Sequence, residues 1–195
     1  VDGATGKSFD AYEYVMPDIS IGSLKIGDRQ IAAYAYDIPD EAGIFGPNLF
    51  TGQLVYVDLG ASRVRVVNKT SSALSERKAI PYIGTPGNGL PAVEILLPGK
   101  DGAAPADMVM AKLDTGNNLA LRLPPSYVDR VQLMRPAAIV GRSTSVSGSR
   151  DVMVGQIKGE VRIRSFSLFD PDVVFDGLTP NVGLPVARQL RILLD

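Results

Sequence analysis

The chain has 195 residues, 45% of them apolar, and a formal net charge of −1, enough apolar material for the core of one large or two small domains. Near-zero charge with scattered Lys and Arg gives no electrostatic case for nucleic acid or an anionic membrane, and no apolar run approaches the ~20 residues of a membrane-spanning helix. With neither Cys nor His, the chain excludes Cys nucleophiles, Ser-His-Asp triads and most zinc sites, so acid–base chemistry near neutral pH falls to carboxylates, Lys or Tyr, and no metal or cofactor is expected.

The 20 glycines and 14 prolines punctuate short runs of Val, Ile, Leu and Tyr, which read as strands joined by turns, so the predicted class is mostly β. At the start, Gly3-Ala4-Thr5-Gly6-Lys7-Ser8 has the ending of a phosphate-binding loop. The required first glycine is Val1, however, and a tyrosine-rich strand pattern follows where a helix should begin, so this reading is rejected. Tyr12, Tyr14, Tyr34, Tyr36 and Tyr56 alternate on predicted strands and are expected half-buried in the core. Residues 68–78 are polar and read as a linker. An apolar run, 108–113, leads to Asp114-Thr115-Gly116, the one short motif that suggests a reaction; its plain alternative is a strand ending in a turn. Residues 124–131, opened by two prolines, predict a short helix, and 185–190 predict another. Between them, 140–151 are polar and flanked by glycine, as a mobile hairpin would be. Asp170-Pro171-Asp172 with Asp176 lacks EF-hand spacing and reads as a solvated acidic loop.

A constant offset of 137 residues relates two segments without a gap. Gly22 falls on Gly159, Leu24 on Val161, Lys25 on Arg162, Ile26 on Ile163 and Ile31 on Leu168. Phe45-Gly46 falls on Val182-Gly183, Leu49 on Val186, and Val55-Tyr56-Val57-Asp58 on Ile192-Leu193-Leu194-Asp195. The first copy continues past Asp58 into a turn and a final strand, whereas the equivalent of Asp114 would fall at position −23, before Val1. The expected organisation is a window on a two-lobed protein. Residues 1–70 form the C-terminal half of a first lobe, 71–78 a linker, and 79–195 a second lobe lacking its last strand.

Leu113-Asp114-Thr115-Gly116, Ile44-Phe45-Gly46-Pro47-Asn48-Leu49-Phe50 and Asn181-Val182-Gly183-Leu184-Pro185-Val186, in this order and spacing, resemble the retropepsin-like aspartic peptidases, in particular the bacterial two-lobed members. The resemblance implies a closed β-barrel lobe preceded by the back half of a similar one, and peptide-bond hydrolysis by water held between two Asp carboxylates. It makes Asp114 one catalytic half. Thr115 and Gly116 would brace the loop, and Val182 and Gly183 would pack against it, Gly183 letting two backbones approach. Its partners would be a peptide or protein substrate and a source of the second Asp, either an upstream lobe or a second copy of the chain. An extracytoplasmic location follows from resemblance alone. Asn117-Asn118 depart from the small residue usual after the triplet, and an Asn there could donate to the carboxylate. Two other readings stay open: a retropepsin-like lobe pair that binds without catalysis, and an unrelated β-barrel or sandwich with a chance Asp-Thr-Gly.

Overall fold

Short aliphatic and β-branched runs interrupted every few residues by Gly or Pro cannot sustain helices, and the chain folds as mostly β. The computed structural model describes residues 8, 10–34, 43, 45–50, 52–68, 83–84, 91–100, 107–145, 148–163 and 166–194. Its strands are β1 (Tyr12–Ile21), β2 (Leu24–Ala33), β3 (Gln53–Asp58), β4 (Arg63–Asn68), β5 (Ile83–Gly84), β6 (Pro91–Leu97), β7 (Asp107–Leu113) and β8 (Leu121–Leu123). There follow β9 (Leu133–Ser145), β10 (Gly148–Ile157), β11 (Glu160–Ile163), β12 (Phe166–Phe169), β13 (Asp172–Phe175), β14 (Asn181–Val182) and β15 (Arg191–Leu194). The helix predicted over 124–131 is a single 3-10 turn, Pro125–Tyr127, and that over 185–190 is one α turn, α1 (Leu184–Ala187). Most of the 68–78 linker lies outside the described residues, as do Tyr36, Asp195 and most of the 3–8 motif.

The largest sheet runs β12-β11-β6-β7-β14-β8-β13-β10-β9, with β5 added to β6. One face is the main core, where period-2 alternation buries Ile95 and Leu97, Leu121 and Leu123, and Val173 and Phe175 at 0% exposure. Each such side chain contributes about 1.5–3 kcal/mol relative to exposure. The two-residue β14 is wedged between β7, to which it is parallel, and β8, to which it is antiparallel. That insertion brings residues 181–183 against the end of β7 and hence against Asp114.

A second sheet, β15-β3-β4, carries its own core of Phe50, Val55, Ala187, Ile192 and Leu194, against which Leu113 also packs. The offset of 137 reappears in the elements. It carries β1 (12–21) to 149–158, beside β10 at 148–157, and the 3-10 turn Pro47–Phe50 onto α1 at 184–187. It carries Gly22 to Gly159, both with left-handed φ, 58° and 104°. It carries β3 (53–58) to 190–195, over β15, and β3 and β15 are themselves paired. Their ladder sets Tyr56 opposite Leu193, its own equivalent, with Val55 opposite Leu194 and Val57 opposite Ile192. A local two-fold axis between Tyr56 and Leu193 thus exchanges the two strands.

Tyr56 is half-buried as expected, but three other tyrosines depart from expectation. Tyr12 and Tyr14 are 70% and 55% exposed, and Tyr34 is exposed as well. Among the described residues β1 pairs only with β2, and nine of its ten side chains are exposed.

Candidate active site

Asp114 stands where β7 stops. Its backbone N–H donates to the carbonyl of Val182 (2.9 Å), continuing the parallel register in which Lys112 donates to Pro180 (3.0 Å). The loop then folds back, and the N–H of Asn117 donates to the Asp114 carbonyl (3.2 Å). The carboxylate is held from two sides. Gly116 donates its backbone N–H to Oδ1 (3.0 Å), and Asn181 donates through Nδ2 to Oδ2 (2.8 Å). Asp114 remains exposed, so both oxygens are oriented without being sealed from a substrate.

Each partner is fixed in turn. The side-chain oxygen of Asn181 accepts from Asn117 Nδ2 (2.9 Å) in a buried bond, and the Asn117 oxygen accepts from the N–H of Leu119 (3.1 Å). Asn117 and Asn181 are 6% and 8% exposed, and pairing with each other satisfies groups that are costly to bury alone. Gly183 lies under the same loop. A Cβ there would meet the Leu119 carbonyl at 1.9 Å and the Asn117 carbonyl at 2.5 Å, so only glycine fits. Its N–H donates to the Ala120 carbonyl, while the N–H of Leu184 donates to that of Asn117 (2.7 Å). A Cβ at Gly116 would stand 3.2 Å from Asp114 Oδ1, crowding the carboxylate it serves. Val182 is fully buried between Leu113 and Leu121, its register partners.

The residues singled out in the sequence, Asp114, Thr115, Gly116, Val182 and Gly183, therefore meet in one place, with one qualification. Thr115 is exposed, and its hydroxyl makes no hydrogen bond among the described residues. The Asn that donates to the carboxylate is Asn181, with Asn117 standing behind it. Sequence reasoning missed Asn181 as a site residue. Its signal was a single amide in an otherwise apolar strand position, two residues before Gly183.

Of residues 140–151, 140–145 fall on β9 and 148–151 on β10, with Ser145 paired to Gly148, and 146–147 lie outside the described residues. Asp176, read as part of a solvated loop, is instead 1% exposed. It lies between Arg122, with Nε 2.9 Å from Oδ1, and Arg150, with Nη2 3.2 Å from Oδ2. Nearby acids are engaged too: Asp172 with Arg135, and Asp170 with the N–H of Gly159. Beyond Asn117 an open groove of about 480 Å³ is lined by Asn118, Leu119, Ala120, Val154, Phe169 and Val174 among others. Comparisons with protein-family models, curated proteins and solved structures each returned no match.

Proposed function

We propose that Asp114 is one half of the carboxylate pair of an aspartic-type endopeptidase, carried by a retropepsin-like lobe built from residues 79–195. The observation that supports this most directly is the presentation of Asp114: exposed at a strand end, one oxygen bonded by the N–H two residues on and the other by Asn181 from the facing strand. A turn aspartate with no role needs no second donor from a residue 67 positions away.

The chemistry needs a second carboxylate within a few ångströms, because like charges so close share one proton. The ionised member takes a proton from water as the water oxygen bonds to the peptide carbonyl carbon. The protonated member gives its proton to the carbonyl oxygen. Collapse of the tetrahedral species breaks the C–N bond, the amine leaves with the proton first taken from water, and one hydroxyl returns its proton to the second carboxylate as the C=O of the acid forms, restoring the shared-proton pair. Gly116 and Asn181 keep Asp114 from rotating during these transfers, and the β9–β10 hairpin covers the substrate. The apolar groove beyond Asn117 suits a peptide side chain.

For the partner carboxylate we favour a preceding segment of the same polypeptide over a second copy. β3 and β15, equivalent under the offset of 137, already pair with each other, and β4 pairs along the far edge of β3, so β15 has its partner strand within this chain. A non-catalytic lobe is the second reading, favoured by Asn117 where a small residue is usual.

The test is peptide cleavage in the acid range by the longest natural gene product, with Asp114→Asn beside it. The expected loss is about 10³-fold or more in kcat/KM. Equal cleavage by the variant removes Asp114 from the chemistry, and no cleavage by either protein favours the binding reading.

A further inference from the structure

The ladder between β10 and β13 runs from Gln156↔Asp172 to Met153↔Phe175 and stops there. Beyond it the chain of β13 turns away. Asp176 donates its N–H to the Leu123 carbonyl (3.0 Å), and Gly177 takes a left-handed φ of 74°. Among the described residues, 148–152 of β10 continue past that point in a ladder with 141–145 of β9, itself the last strand of the sheet. The end of the hairpin thus projects beyond the sheet that supports it.

Where the ladder stops, a charge cluster begins. Arg150, on the projecting arm, reaches back to Asp176 Oδ2 with Nη2 at 3.2 Å and Nε at 3.4 Å. Arg122 Nε lies 2.9 Å from the other oxygen, an ion pair without the alignment of a hydrogen bond. Asp176 is almost wholly buried, and the side chains of Arg122 and Arg150 are 27% and 21% exposed, so the three charges are partly withdrawn from solvent screening. Their placement is not arbitrary. Arg122 is the cross-strand partner of Asn181, and cross-strand partners share a sheet face, so the cluster lies on the face from which Asn181 holds Asp114.

We propose that Arg150, through Asp176 and Arg122, is the positioning residue of the β9–β10 hairpin, fixing the stance of its projecting end relative to the strands that carry Asn181. That the hairpin covers a substrate rests on the reading given above; the latch itself does not. Nothing in the cluster touches Asp114, so its effect runs through the hairpin.

Hydrogen exchange on the 195-residue chain tests it. Arg150→Leu leaves Asp176 its Arg122 partner, which keeps the body folded, whereas replacing Asp176 would strand two cations. In Arg150→Leu, amides of 141–145 and 148–152 are expected to exchange on the order of tenfold faster, with β6 and β7 unchanged. Arg150→Lys, which keeps one charged contact, should fall between. Unchanged exchange at the hairpin overturns the latch, as does an equal rise in β6 and β7, which would mean that Arg150 serves global stability alone. In a cleaving full-length protein, Arg150→Leu should raise KM more than it lowers kcat. If the exchange result holds and no protein cleaves, the latch stands and the peptidase reading falls.

Discussion

At the scale of single residues, the site depends on one glycine and two amides. Gly183→Ala drives a methyl group into the Leu119 carbonyl, and neither backbone can move without breaking β14 from β8. We expect a loss of about 3 kcal/mol or failure to fold, read from urea denaturation. Asn181→Leu removes the donor to Asp114 and leaves the buried Nδ2 of Asn117 without its acceptor, a cost of about 1–3 kcal/mol in the same measurement. The requirement for Gly183 was legible, because a glycine after Val182 in a segment expected to pack against the Asp-Thr-Gly loop has a steric reason to be there. The amide relay was not. Its bonds span 64 and 67 positions, and no local pattern specifies which buried Asn meets which carboxylate.

Among the elements, turn chemistry was read well and burial less so. The prolines at 124–125 and 185 marked the two helical turns because proline suits a first helical position, though each turn is shorter than its pattern. The exposure of Tyr12 and Tyr14 could not be read from alternation, since period 2 says only that two faces differ and not that either is covered. The repeat has its clearest expression in the β15-β3-β4 sheet, whose central pairing joins equivalent strands. Replacing Val55, 5% exposed in the second core, by Asp should release β15 and β3 together. Exchange at 53–58 and 191–194 is expected to rise in concert, while β6–β7 keeps its protection. Independent responses would mean that the sheet is not a cooperative unit.

For the molecule as a whole, the source of the second carboxylate decides the reading. If two copies of this chain supplied one Asp114 each, peptidase activity would grow with the square of protein concentration in the dilute range. We expect no cleavage by the 195-residue chain at any concentration, and cleavage proportional to concentration from a gene product carrying the preceding Asp-Thr/Ser-Gly segment. Quadratic growth would reinstate the two-copy arrangement. The pairing of β3 with β15 also orders events during synthesis. Val55 emerges from the ribosome before Leu194, which it faces and which follows only after the intervening chain has been made. Until then β3 has β4 on one side and an open edge on the other, with Leu54 and Val55 lacking the cover they have in the finished protein. While the residues between β3 and β15 are being made, the nascent chain therefore carries a sticky strand waiting for its mate, a natural point for a chaperone to act or for two growing chains to exchange strands.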